Sequence, residues 1–283
     1  MIDAFVFTKD RACQLHLLLS SCAKNAPGMF RFEVLWKASH PVYEKGYALA
    51  QNLWPGVSFL PEEIPLKHHF LDVIRRAGER SGSLCLFTDD CVFYRRAEFG
   101  PASVLSLLED PEVLTFAFRL GHNTVVQNYQ TGQLQPPLVP DLLWDNRFPV
   151  WQYARYHFSD NYGYPFGMDG HVFRCRDLER LTEPMEMPTF RAWEGALHLP
   201  EHRDRESARL MACPELSYVL NIPRNSVQSD PCPAGVHHPS DLLDLNDCFL
   251  RGMEIDLDSM DFSGVRSSHL ELPWRLRARE NQE

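Results

Sequence analysis

Through its first 120 residues the chain alternates short apolar runs with longer stretches in which apolar side chains return every three or four positions. "DAFVFT" (3–8) has the length of a strand, and "RACQLHLLLSSCAKN" (11–25) follows with helical spacing and Asp10 as its expected N-cap. "RFEVLWKAS" (31–39) alternates like a strand. "PVYEKGYALAQNLW" (41–54) reads as a helix opened by Pro41 and closed before Pro55-Gly56. "VSFLP" (57–61) predicts a third strand. An amphipathic helix over 65–82 then carries Leu66, Phe70, Val73, Ile74 and Ala77 on one face, and "LCLFT" (84–88) predicts a fourth strand. A β-α-β-α-β-α-β order with short links predicts an α/β fold, a mostly parallel central sheet with helices on both faces.

The pattern changes after a predicted helix at about 99–109 and a strand over "VLTFAFRLG" (113–121). Residues 122–168 hold few regular runs and many aromatics, among them Trp144, Phe148, Trp151, Tyr153, Tyr156, Tyr162, Tyr164 and Phe166. Such rings build core or stack on the apolar faces of sugars. "MDGHVFRCRDLERL" (168–181) predicts a turn, a strand and a helix, and "FRAWEGALHL" (190–199) the start of another helix. From Ser229 the chain is richer in Pro, Asp and His and reads as a tail wrapped on the rest. Without an internal repeat or a low-complexity linker, residues 1–283 are expected to form a single domain.

A net charge of -10 with no Lys/Arg cluster argues against nucleic acid as a partner. No stretch reaches the roughly 20 apolar residues of a transmembrane segment. No basic region precedes the first apolar run, so no secretion signal is read and a cytoplasmic location is expected. The eight cysteines form no CxxC, which points to free thiols and gives zinc no support. The histidine pairs at 68–69 and 237–238 lack the i, i+4 spacing of a helical metal site. "DLDSMDF" (256–262) lacks the glycine and glutamate of a calcium loop.

Ligands of parallel sheets gather outside the carboxyl ends of the strands. Thr8 to Arg11, Ser39, Glu62 and Glu63, and Asp89 and Asp90 all fall at predicted ends of this kind. The sharpest is "LCLFTDDCVF" (84–93), where an apolar strand runs into two adjacent carboxylates. Like charges side by side require a cation. A helix cap or solvated turn would place two acids there as well, but at a sheet rim such a pair suits a divalent ion held against a diphosphate.

At these residues the chain resembles the glycosyltransferases of the A-type (GT-A) fold, which use nucleotide-diphospho-sugars, and in particular their large inverting family. The resemblance runs over roughly residues 2 to 228 in element order, through "FVFTKDRACQL", "FTDDCVF", "MDGHVFR" and "WEGAL". It implies a nucleotide-sugar-binding half over 1–121, an acceptor-side half over 122–228 and a tail over 229–283 packed on the domain. It also implies Mn²⁺ or Mg²⁺ as cofactor, with Asp90 as ligand, Asp89 facing the ribose or the ion's water shell, and His269 as a third ligand. Thr8, Arg11 and Ser39 would then lie on the nucleotide side, and Asp169, Gly170 and His171 would face the donor sugar or acceptor. Glu194 stands at the family's catalytic acid, with Asp169 as the rival base.

Each position has a plainer structural reading: a strand end at Thr8 to Arg11, a tight turn at Gly170, and a helix dipole at Glu194. The chain also departs from the family's pattern. Cys91 stands where Asp-any-Asp ends, and Gly195 replaces the second acid of Glu-Asp. The implied activity is transfer of a sugar from a UDP-linked donor to an acceptor hydroxyl with inversion. A nucleotidyltransferase is one rival, although "TKDRACQ" lacks its Gly-rich loop. A non-catalytic nucleotide-sugar-binding protein is the other, and it would suit Cys91 and Gly195.

Overall fold

A computed structural model describes residues 1–224 and 239–279. Cys232 and the histidine pair at 237–238 lie outside the described residues. In the first half, β1 (Ile2–Lys9), β2 (Phe30–Lys37), β3 (Ser58–Pro61) and β4 (Ser83–Thr88) are linked by α1 (Ala12–Asn25), α2 (Pro41–Leu53) and α3 (Leu66–Arg80). A short β5 (Cys91–Phe93), α4 (Pro101–Glu109) and β6 (Val113–Ala117) follow. The aromatic-rich stretch holds a small hairpin of β7 (Val126–Asn128) and β8 (Gln133–Leu134), then β9 (Leu142–Trp144) and β10 (Phe148–Gln152). Next come β11 (His171–Arg174), α5 (Cys175–Thr182), α6 (Phe190–Leu197), α7 (Pro200–Arg203), β12 (Leu210–Ala212) and β13 (Val219–Asn221). The tail supplies α8 (Pro239–Leu250), β14 (Met253–Ile255) and β15 (Leu276–Ala278).

Nine strands form the central sheet in the order β3-β2-β1-β4-β11-β6-β12-β10-β9. The first four are mutually parallel, as a β-α-β-α-β-α-β chain requires. β11 enters antiparallel between β4 and β6. Alternation along the strands feeds two cores. Ala4, Val6, Cys85, Phe87 and Val172 join α1, α2 and α4 in one. Phe5, Leu84, Leu86 and Phe173 join α3, α5 and α6 in the other. The sheet is therefore covered on both faces.

The reversed direction of β11 shapes the site. His171 pairs with Leu86, so in this antiparallel register Asp169, two residues earlier, comes level with Thr88. The start of β11 thus meets the carboxyl end of β4.

Two expectations are corrected. Asp10 does not cap α1: its φ of 60° takes it into the left-handed region, and Arg11 stands at the N-cap without a side-chain bond. The Asp10 carboxylate instead accepts from the Ser39 N–H and hydroxyl, both at 2.7 Å. The strand expected over 113–121 ends at Ala117, where the chain turns and the Leu120 N–H donates back to Ala117 O. Of the two readings open for the aromatic stretch, five of its rings take the core one, with Phe148, Trp151, Tyr153, Tyr162 and Phe166 at most 1% exposed.

The described part of the tail is held through α8 and β14. Asn246 donates to Val42 O on α2 at 3.1 Å, and Glu254 meets His16 of α1 at 3.0 Å.

Candidate active site

The cation that the adjacent acids require is Arg11. Its Nε donates to Asp89 Oδ2 at 3.1 Å, a second guanidinium nitrogen binds Asp89 Oδ1, and the third reaches Asp90 Oδ2 at 3.3 Å. Thr8 donates to Asp89 Oδ2 at 2.6 Å and shares a 2.8 Å bond with the Tyr47 hydroxyl. Burial opposes charge on Arg11, but Asp89 and Asp90 more than reverse this and hold the guanidinium cationic. Burial also pushes the Asp89 carboxyl up, to about 6, against the pull of Arg11. Asp89 is thereby enclosed, and Asp90 is the acid that keeps some exposure, with 12% of its side chain open.

Asp90 belongs to a second cluster. Asn221, at the end of β13, donates to Asp90 Oδ1 at 2.8 Å, to Thr88 Oγ1 at 3.0 Å and to Asp169 Oδ1 at 3.2 Å. Thr88 donates to Asp169 Oδ1 at 2.7 Å, and Arg119, two residues beyond β6, donates to Asp169 Oδ2 at 3.0 Å. His269 Nε2 lies 3.3 Å from the same oxygen. It is delivered there by backbone bonds that lay Ser268 and Leu270 along Asn221. Burial alone would raise the Asp169 carboxyl. The contact with the His269 ring, the Arg119 guanidinium and the Thr88 hydroxyl hold it well below the usual carboxylate range, so it stays ionised.

Asp90, Cys91 and Asp169 each offer a ligand atom within 4.8 Å of the others. The thiol does not suit a hard ion: burial pushes its pKa well above the ordinary value, and it points its S–H at Asp169 Oδ1. The two carboxylates fit Mn²⁺ or Mg²⁺ with water and phosphate oxygens completing the shell, and the His269 imidazole adjoins this group through Asp169 alone.

Glu194 is the fifth residue of α6, past its first turn, so the expected position at the helix start and the helix-dipole reading are corrected; the N-cap is Thr189, bonded through its side chain to the Ala192 N–H at 3.0 Å. Glu194 is half-buried. Burial pushes its carboxyl up to about 7, and the nearby charge of Asp169 adds to this. Arg119, the Met168 N–H and the Tyr164 hydroxyl pull the other way. Tyr164 is pinned by stacking on His198, ring centres 3.5 Å apart. Two carboxylates in one site thus have their pKa values driven in opposite directions, which separates a base from an ion-holding group.

The remaining sequence-selected positions fall as follows. Ser39 is held by Asp10 at the end of β2. Glu62 pairs with Lys37. Gly170, at φ 81°, is buried where a Cβ would press on Phe87. His171 is fully buried, and burial, reinforced by the Arg119 charge, keeps its ring neutral. Of the 169–171 trio, Asp169 is the member that joins the carboxylate cluster. Arg119 and Asn221 were missed, and Tyr164 was singled out only as one ring of the aromatic stretch. Arg119 reads as part of a strand in sequence, and Asn221 has no signal at all.

No family model matches the chain, and no curated protein matches it. Among solved structures it is similar to S. aureus TarS 1–349 in complex with UDP-GlcNAc, at 10% identity over 86% of this chain and 63% of that one, with a TM-score of 0.46. It is also similar to the mannosyltransferase PcManGT from Pyrobaculum calidifontis in complex with GDP-Man and Mn²⁺, at 13% identity over 64% and 47%, TM-score 0.36. The galactosyltransferase LgtC with donor and acceptor sugar analogues matches at 14% identity over 63% and 59%, TM-score 0.33. The chain spans about half to two thirds of the length of these structures. The similarity is one of coarse architecture, and the chemistry rests on the residues of the site itself.

Proposed function

We propose that the protein is a glycosyltransferase that moves a sugar from a nucleotide-diphospho-sugar, UDP-linked, to an acceptor hydroxyl with inversion. The observation that carries this reading is the pairing of the Asp90–Asp169 cluster, in which Asp169 stays ionised, with a neighbouring Glu194 poised near neutrality, at the carboxyl rim of the sheet. Asp90, Asp169 and His269 would hold Mn²⁺ or Mg²⁺. When bound, the ion supplies positive charge to the diphosphate leaving group.

The chain's own residues do the rest. Glu194 accepts the acceptor's hydroxyl proton as the acceptor oxygen bonds to the anomeric carbon. The bond from that carbon to the phosphate oxygen breaks, and UDP leaves with the electron pair. Asp169 is too acidic to serve as base. Its depressed pKa leaves little drive for taking a proton, whereas a carboxyl near 7 has both the charge and the basicity. Arg11 offsets the negative charge that Asp89 and Asp90 would otherwise present to a diphosphate.

Calorimetry of UDP binding with and without Mn²⁺ tests the ligand assignment. Asp90→Asn is expected to weaken Mn²⁺-supported binding about tenfold or more, and Cys91→Ser to leave it nearly unchanged. Equal affinities for wild type and Asp90→Asn would remove Asp90 from the role.

A further inference from the structure

His269 is held from behind by a chain of buried polar groups whose direction can be read from one end to the other. A backbone N–H only donates, so the Asn161 N–H, 2.7 Å from Gln135 Oε1, fixes that atom as an acceptor. The Gln135 amide then donates to Thr124 O. The Asn161 amide nitrogen faces Gln135 Oε1 at 3.1 Å and Val126 O at 3.3 Å, both acceptors. Asn161 Oδ1 is left toward Ser268, whose hydroxyl donates to it at 2.6 Å. That spends the single proton of Ser268. The contact between Ser268 Oγ and His269 Nδ1, 3.0 Å, is therefore satisfied only if Nδ1 carries the hydrogen.

We propose that Gln135, Asn161 and Ser268 form a positioning relay that locks the neutral His269 ring as its Nδ1–H tautomer and turns the Nε2 lone pair into the carboxylate cluster. Nε2 lies 3.3 Å from Asp169 Oδ2. A lone pair facing a carboxylate is unfavourable by itself and becomes favourable when a cation sits between them, so the relay prepares this corner to receive a positive ion. Gln135 and Asn161 are 6% and 7% exposed and Ser268 is fully buried, which keeps water from supplying the alternative proton. The opposite tautomer would place N–H at Nε2, satisfy Asp169 directly and close the corner to a metal. The second nitrogen's hydrogen bond sets which nitrogen is free to ligate. The role in metal binding rests on the proposed function; the tautomer does not.

Long-range nitrogen–proton NMR on the metal-free protein, at a pH where the ring is neutral, reads the tautomer directly, with His269 assigned by its loss in His269→Gln. The wild type is expected to show Nδ1–H. Asn161→Leu releases the Ser268 proton toward Nδ1 and is expected to move the ring to Nε2–H. Ser268→Ala, which removes the acceptor, should do the same, and Ser268→Thr should restore Nδ1–H. Mn²⁺ affinity, followed by electron paramagnetic resonance, is expected to fall about 10–100-fold in Asn161→Leu and Ser268→Ala and to recover in Ser268→Thr. Nε2–H in the wild type would overturn the relay, as would an unchanged tautomer in both disrupting variants. Tautomers that switch as described, in a wild type that binds no Mn²⁺, would support the relay and refute the metal reading.

Discussion

Arg11 and Asp89 show what one residue pair decides. Asp89 is 1% exposed, and removing its counter-ion leaves a charge with nowhere to go. Arg11→Ala is expected to cost about 3–5 kcal/mol of stability, whatever Arg11 adds to phosphate binding. The double variant Arg11→Ala/Asp89→Asn removes both charges and is expected to recover most of that loss. Urea unfolding of the two proteins makes the comparison, and equal midpoints for the single and double variants would count against the pairing.

Glu194 gives the opposite sign. Its carboxyl has an ordinary value of 4.5 and is raised to about 7 in the folded chain. Between those values the folded state holds a proton that the unfolded state has lost, so stability falls as pH rises through the window. Glu194→Gln removes this penalty. It is expected to gain about 1–3 kcal/mol over wild type at pH 8, at about 1.4 kcal/mol per pKa unit, and nothing at pH 4. The same substitution is expected to cut transfer by about 10²–10⁴-fold, and the wild-type rate to rise with pH through a midpoint near 7. A variant more stable yet inactive would separate the chemical role from a merely structural one.

At the scale of elements, α6 carries the proposed base, and Gly195 follows it. A Cβ built there meets nothing within 4 Å, so the glycine serves no packing need in a helix interior. Gly195→Ala is expected to stabilise the protein by up to about 1 kcal/mol through helix propensity alone, read as a higher thermal midpoint with transfer retained. A lower midpoint would mean that something closes on this position.

The elements of the first half were legible because each announces its own period. Apolar residues at 66, 70, 73, 74 and 77 mark one face of α3, and four of them are buried there. β5 and β13 were not legible, because three residues are too few to show alternation. The antiparallel entry of β11 was invisible as well. Direction in a sheet is set by which edge remains open when the strand arrives, and no local propensity records it. Asp10 was misread for a related reason: an acid before a helix suits an N-cap, yet the bonds to Ser39, 29 positions away, outweighed it.

Across the whole molecule, the site is a meeting of distant segments. Thr8 and Arg11 come from the first strand and its turn, Asp90 from the fourth strand's end, and Asp169 from before β11. Asn221 ends β13, and His269 arrives from the tail. The sequence showed Asp89, Asp90, Asp169, Glu194 and His269 as separate candidates. It could not show that Arg119 and His269 converge on one oxygen of Asp169, because those contacts join residues 50 and 100 positions apart. Local patterns carry the scaffold, and long-range contacts carry the chemistry.

The central claim is tested most directly by following products from a panel of nucleotide-diphospho-sugars, with Mn²⁺ or with a chelator, in wild type and Glu194→Gln. The account predicts that at least one donor yields UDP in the presence of Mn²⁺, that chelation stops it, and that Glu194→Gln slows it while still binding UDP. Release of pyrophosphate instead of UDP, or tight donor binding with no turnover of any donor, would contradict it.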